Sequence, residues 1–196
     1  MPELMAAGFY TPPQLHYVRN HGAVPRLDWA THRIDIGGLV QKPGVSVSMD
    51  QLLALPAVTL PITLVCAGNR RKEENMLKKS IGFNWGPCAV STSEWTGVRV
   101  ADLIRLVAGG IKYKEGGSEP TDVDWEAEEG DAAVPRHVCF RGPEGELPKG
   151  DDGSYGTSIP LSYCKDPGND VLISYKHPGR WHTPDHGFPD PQVVPG

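Results

Sequence analysis

Apolar and polar residues alternate in short bursts along this chain, a pattern that predicts many short strands and few helices. Within residues 28–40, alternation around Ile34 and Ile36 predicts a strand, with Gly37-Gly38 as a bend. Val45-Ser46-Val47-Ser48 predicts a second. Met49-Asp50-Gln51-Leu52-Leu53-Ala54-Leu55 then reads as a short helix, capped by Ser48 or Asp50 and stopped by Pro56. Residues 58–65 form an apolar run interrupted by Pro61 and read as a buried strand. Between residues 72 and 95 no element is predicted, and residues 81–86 are too rich in glycine for a helix. Helical spacing returns at Val98, Leu103, Ile104, Leu106 and Val107, and Gly109-Gly110 closes that amphipathic helix. Strands follow at residues 136–142 and 170–175, with an ordered piece from Tyr155 to Leu161 between them. His177-Pro178-Gly179 reads as a hairpin turn.

Composition narrows the class. A chain of 196 residues with 39% hydrophobic content suits one large domain with its own core. Nineteen prolines and 23 glycines favour turns and irregular loops over long helices. The formal charge of −5 argues against general nucleic-acid binding. No apolar run approaches the roughly 20 residues of a membrane span. Met1-Pro2-Glu3 lacks the basic start of a signal peptide. Cysteines at 66, 88, 139 and 164 form no Cys-x-x-Cys pair, which matches neither a zinc ribbon nor a small disulfide scaffold. A reducing compartment, the cytoplasm, is the simpler expectation. Residues 115–131 hold eight acids and no base, and are expected to be an exposed loop insertion.

Candidate chemistry gathers in three places. Thr63-Leu64-Val65-Cys66-Ala67-Gly68-Asn69-Arg70-Arg71-Lys72 delivers a thiol from the end of a strand into a small-residue turn followed by three cations. Small residues let a bulky ligand approach the backbone, and neighbouring cations favour thiolate chemistry and supply forked donors for oxyanions. Trp85, nineteen residues further on, is within reach of the same pocket. Tyr17-Val18-Arg19-Asn20-His21-Gly22 lies on an extended arm that Pro12 and Pro13 keep from being a helix, and it offers many donors to an anionic ligand. Asp185-His186, held between prolines, forms a rigid loop able to grip a polar ligand. Each has a plainer alternative: a packed cysteine beside a solvated basic turn, a solvated arm, a tryptophan in the core, a surface turn.

Taken together and in order, Tyr17-Val18-Arg19-Asn20-His21, Cys66-Ala67-Gly68-Asn69-Arg70-Arg71, Tyr155-Gly156-Thr157-Ser158-Ile159-Pro160, Asp185-His186-Gly187-Phe188-Pro189 and Pro195-Gly196 resemble the sulfite oxidase family, in its molybdenum-molybdopterin domain. Lys72-Glu73-Glu74-Asn75-Met76, Ile81-Gly82-Phe83-Asn84-Trp85-Gly86 and the Tyr-Gly-Thr-Ser segment are similar to the assimilatory nitrate reductases within it. The resemblance implies an α+β fold of short mixed sheets, few helices and long loops over a cofactor cleft, spanning residues 1–196. It implies Cys66 as the thiolate ligand of molybdenum, and Arg71 and Trp85 as shapers of a nitrate pocket. It implies cofactor contacts from Tyr17, Val18, Arg19, Asn20, His21, Glu144, Tyr155, Thr157, Asp185 and His186. The implied chemistry is oxygen-atom transfer from nitrate to leave nitrite. Electrons would come from a haem domain, fed in turn by NAD(P)H through an FAD domain, in a homodimeric cytoplasmic enzyme.

Three departures from the family pattern accompany the match. Asp190-Pro191 stands where the family carries an apolar residue and then a cofactor-contacting arginine. Glu144 replaces an aspartate. The sequence stops at Gly196, before the stretch that completes the cofactor site in the family, so the expectation is of a C-terminally truncated domain. An inactive cofactor-binding fragment, or a sulfite oxidase, are the competing expectations.

Overall fold

The computed structural model describes residues 2–20, 24–38, 44–109, 136–143, 156–177, 179–189 and 191–194. The acidic stretch 115–131, together with His21, Glu144, Tyr155, Pro178 and Asp190, lies outside the described residues.

A four-stranded antiparallel sheet organises the rest. Its strands are β3 (Ala57–Val65), β4 (Val90–Arg99), β7 (Leu172–Lys176) and β8 (Gln192–Val193), in the order β3-β4-β7-β8. Two hairpin-like pairs flank it: β1 (Arg33–Ile36) with β2 (Val45–Ser48), and β5 (His137–Arg141) with β6 (Gly156–Pro160). The helices are short: α1 (Pro2–Ala6), α2 (Met49–Leu53), α3 (Arg71–Glu74), α4 (Val100–Gly109) and α5 (Leu161–Lys165). The expected α+β class of short sheets and few helices is what the chain forms. Among the described residues no helix is long and apolar enough to cross a membrane.

The helix at residues 49–53 has the cap its sequence asks for. Ser48 accepts from the Gln51 amide at 3.1 Å, while the Gln51 side chain accepts from the Ser48 amide at 2.8 Å, a reciprocal capping box. The amphipathic helix begins two residues later than its spacing predicts, because Val98 belongs to β4.

Two expectations fail in the central sheet. Residues 58–65 do form a strand, but not a buried one: apart from Ile62 its residues are half-buried or exposed. The reason is position. β3 is the edge strand and pairs only with β4, so Pro61 loses no ladder bond on its free side. Val58, Leu60, Ile62 and Leu64 face one apolar cluster, while Thr59 and Thr63 on the other face meet Thr96 and Thr92, hydroxyl to hydroxyl at 2.8 Å.

The second failure is β4, the ten-residue strand for which no element is predicted before Val98. Its sequence, Val-Ser-Thr-Ser-Glu-Trp-Thr-Gly-Val-Arg, hides the signal because buried positions carry serines. Ser91, Ser93 and Trp95 lie opposite Leu64, Ile62 and Leu60 of β3, on the same face. There the serines are satisfied by the N-terminal arm: Tyr17 donates its amide to Ser91 Oγ at 3.2 Å, and Ser93 Oγ donates to the Thr11 carbonyl at 2.9 Å. The Thr11 amide also donates to the Thr92 carbonyl at 2.7 Å.

The sheet therefore has two working faces. On one, Val98, Ile173 and Tyr175 pack with Val47, Met49, Leu52, Leu103 and Ile104 into the main core. On the other, Ile62, Trp95, Leu172 and Val193 form a smaller cluster that carries the arm. Gly97 marks the change of register between β4 and β7, where the Ile173–Ser174 backbone comes so close that a Cβ would meet Ser174 Cα at 2.6 Å.

Candidate active site

Cys66 follows β3 by one residue and continues the face of Leu64, since alternate strand residues share a side. Its amide donates to the Ala89 carbonyl at 2.9 Å, which extends the pairing with β4 past the strand's end. Residues 66–72 then turn sharply: Asn69 donates its amide to the Cys66 carbonyl at 2.8 Å, and Gly68 donates to Cys66 Sγ at 3.4 Å. The turn is clamped from outside by the 85–89 segment. Arg70 and Lys72 amides donate to the Gly86 and Trp85 carbonyls at 3.0 and 2.9 Å, and Ala89 donates to Asn69 Oδ1 at 3.1 Å.

The three cations after the cysteine part company. Arg70, with a left-handed backbone (φ 64°), turns outward and pairs with Glu73, its Nε 2.9 Å from Oε2. Lys72 is exposed. Arg71 folds back over the turn, with Nη1 at 3.5 Å from the Phe83 carbonyl and its guanidinium against Gly68 and Gly82. Gly82 has φ 131°, and a side chain there would collide with that guanidinium, so only glycine leaves Arg71 in place. Asn75 fixes the same loop, donating to Asn84 Oδ1 at 3.0 Å and accepting from the Ser80 amide at 2.9 Å.

Trp85 closes this corner. Its Cδ1 lies against Gly68, its ring centroid is 6.4 Å from that of Tyr17, and its Nε1–H is buried with no acceptor among the described residues. Tyr17 joins the corner to a neighbouring cavity of about 150 Å³, which it lines with His16, Arg19, Trp95, Asp185 and His186. Burial pushes the Tyr17 phenol above its usual range, and the neighbouring Cys66 adds to that. Arg19 reaches out to the other loop, with its guanidinium carbon 4.5 Å from the Phe83 ring centre. A larger cavity of about 380 Å³, lined by residues 24–27 with Pro184 and Phe188, contains none of the expected site residues.

Three distant segments thus meet: the arm, the cysteine turn with its 81–86 loop, and the turn at Pro184–His186. In that turn Asp185 is exposed, and His186 Nδ1 lies 2.8 Å from Thr183 Oγ1. Burial holds the His186 imidazole below its ordinary range, although Asp185 works the other way. Val18 lines the cavity rim and Asn20 is exposed. Thr157 stands apart, on β6 opposite Phe140, and does not line the cavity.

Several site-building residues gave no signal in the sequence. His16 and Trp95 line the cavity, His177 and His182 pack against them, and Ser91 and Ser93 set the arm. Serines in a strand and isolated histidines carry no periodic pattern. Contacts across the sheet alone bring them together.

The oxidoreductase molybdopterin binding domain family matches residues 21–196. The chain belongs to that family. It is 58% identical over its whole length to a nitrate reductase [NADH] of Volvox carteri, 50% identical over 194 residues to that of Ulva prolifera, and 46% identical to nitrate reductase [NADH] 1 of Oryza sativa subsp. japonica. It spans about one fifth of the length of these relatives, 20%, 20% and 19% in turn. Its fold is also that of the sulfane dehydrogenase SoxCD from Paracoccus pantotrophus, with a TM-score of 0.66 at 23% identity over 96% of this chain and 40% of that one.

The donor set suits the family's cofactor. Cys66 offers one soft sulfur ligand, and among the described residues no three His, Cys, Asp or Glu side chains are grouped to hold a metal by themselves. The buried Trp85 Nε1 and His186 Nε2, unpartnered among the described residues, are polar atoms that a bound polar ligand would satisfy. Pro191, where the sequence resemblance leads one to expect arginine, lines the cavity, and its carbonyl accepts from the Ser174 amide at 2.9 Å.

Proposed function

We propose that this chain is the molybdenum-molybdopterin domain of an assimilatory nitrate reductase and takes part in reducing nitrate to nitrite. The observation that carries the reading is the corner beside Cys66, where the Arg71 guanidinium and the orphaned Trp85 indole N–H lie over one tight turn. Nitrate is a planar anion, which a guanidinium fork matches with paired hydrogen bonds. An indole N–H can only donate, so a buried one beside a guanidinium favours an oxyanion.

In this reading Cys66 holds the metal through its sulfur, while Arg71 and Trp85 bind and orient nitrate. Tyr17, Arg19, Asp185 and His186 grip the pterin from the cavity side, with Val18 and Asn20 on the rim. His21, Glu144, Tyr155 and Thr157 belong to the same set by their match to the family's motifs. The cofactor, when bound, supplies two-electron oxygen-atom transfer. The protein's part is to place positive charge and fixed donors around the anion before reaction, which lowers the cost of reorganisation. Reduction of nitrate to nitrite and water takes up two electrons and two protons. The electrons would come through haem and FAD domains elsewhere in a longer polypeptide, and a cytoplasmic homodimer is part of the same reading.

The test uses the full-length protein with a reduced viologen as electron donor. Nitrate-dependent turnover without sulfite-dependent turnover is expected; turnover with sulfite alone overturns the reading. Replacing Cys66 by serine should abolish nitrate turnover and remove one sulfur from the molybdenum shell seen by X-ray absorption. An unchanged sulfur count would exclude Cys66 as the ligand.

A further inference from the structure

Four imidazoles crowd together, His16 and His186 on the cavity wall and His177 and His182 nearby. His16 lies 4.7 Å from His177 and 5.3 Å from His186, ring centre to ring centre; His177 lies 5.5 Å from His186 and 6.2 Å from His182. The Trp95 ring sits 4.3 Å from His177 and 5.4 Å from His182. His16, His177 and His182 are buried, and each of the four rings has one buried nitrogen without a partner among the described residues. The rings are not grouped so as to hold a metal ion.

Hydrogen bonds fix two of the tautomers. His16 Nδ1 donates to the Tyr17 carbonyl at 3.0 Å, which leaves Nε2 as a bare lone pair. Ser174 Oγ donates to the Thr96 carbonyl at 3.0 Å, so His182 Nε2, also 3.0 Å away, is the donor to that oxygen and Nδ1 is bare. Both bare nitrogens are proton acceptors in a space packed with other imidazoles.

We propose that His16, His177 and His182, packed round Trp95, together with His186 against His16 and His177, form an acid-opened seam that fastens the 11–19 arm and the 179–189 segment to β4 only while the rings are neutral. The proposal rests on the packing of this chain and not on the choice of substrate. Opening the seam would release both cofactor-gripping segments together, since His16 precedes Tyr17 and Arg19 while His186 follows Asp185.

The surrounding charges do not relieve the cluster. Asp185 favours the charged form of His186 but is exposed and does not outweigh its burial, while Arg19 on the arm and Lys176, 4.5 Å from the Trp181 ring centre, oppose further positive charge. The Tyr17 and Tyr175 phenols are both held above their ordinary range by burial, and stay neutral in acid. Burial and mutual repulsion bring His177 and His182 down from 6.5 to about 3, and His16 and His186 move the same way. The sign follows: an unfolded imidazole takes up its proton near 6.5 while the packed one does not, so the open state binds more protons across that interval. Stability is full above about pH 6.5 and falls as the pH drops towards about 3.

Hydrogen exchange read by mass spectrometry on the full-length holoprotein, corrected for intrinsic rates, tests this between pH 7.5 and pH 4.5. Segments 11–19 and 179–189 should lose protection together, before β3 and β4, and recover on return to pH 7.5. His177→Leu, a swap of similar volume that removes one titrating ring, should lower the midpoint of that loss by at least about half a pH unit. His182→Leu should do the same, and His137→Gln, on an exposed position of β5, should leave it in place. A midpoint shared by wild type and the folded leucine variants overturns the seam. So does loss of protection at different pH values in the two segments, a readout that needs no variant to fold.

Discussion

A tryptophan N–H buried without an acceptor is the least comfortable atom beside Cys66, and the most informative. Removing an unsatisfied donor while keeping an aromatic ring in place should cost the fold little, because nothing among the described residues bonds to it. Trp85→Phe is therefore expected to leave the thermal midpoint of the full-length protein within about 2 °C. Its KM for nitrate should rise about tenfold or more, the usual size of a lost hydrogen bond to a charged group. An unchanged KM would show that the indole N–H does not meet the substrate. The neighbouring cations show how local geometry sorts equal charges: Arg70 is spent on Glu73, and Arg71 is kept over the turn. From the sequence alone, three consecutive cations look interchangeable.

β4 matters most among the elements, and it is the one the sequence hides. Its inner face carries Ser91, Ser93 and Trp95, and these receive the arm and the histidines. Polar residues at buried positions erase the apolar alternation by which strands are recognised. They are tolerated because the arm satisfies them, a partner more than 70 residues away in the chain. The bulge at Gly97 depends on the same close packing. Gly97→Ala would push a methyl group into the β7 backbone, and a loss of about 2 kcal/mol or more is expected in urea unfolding. A smaller loss would mean that β7 can move aside. By contrast, the cap was legible as Ser48 or Asp50, because a cap needs only residues close in sequence; the structure chose Ser48 and added Gln51 as its reciprocal partner.

Over the whole molecule, the sheet works as a partition between a core and a site. Leu172 and Ile173, adjacent on β7, pack into opposite clusters. Cutting Leu172 to alanine would leave a cavity beneath Trp95, directly behind the histidines, and should cost about 2–5 kcal/mol. Chemical unfolding of the full-length protein, read in the transition that includes this domain, checks the loss. A cost below 1 kcal/mol would mean that this cluster contributes little to holding the site's floor.

The sequence by itself determined the short-strand α+β character, the helix at 49–53 and the cysteine at a strand's end. It also determined the three segments whose resemblance pointed to a molybdopterin domain. These are local or ordered along the chain, so spacing and motif suffice to read them. Tertiary structure decided which cation folds back over the cysteine turn and why β3, an apolar run, lies open at a sheet edge. It decided that a serine-bearing strand is central, and that four histidines scattered from 16 to 186 share one buried space. Each of these depends on a partner distant in sequence, and no periodicity along a single chain encodes such a contact.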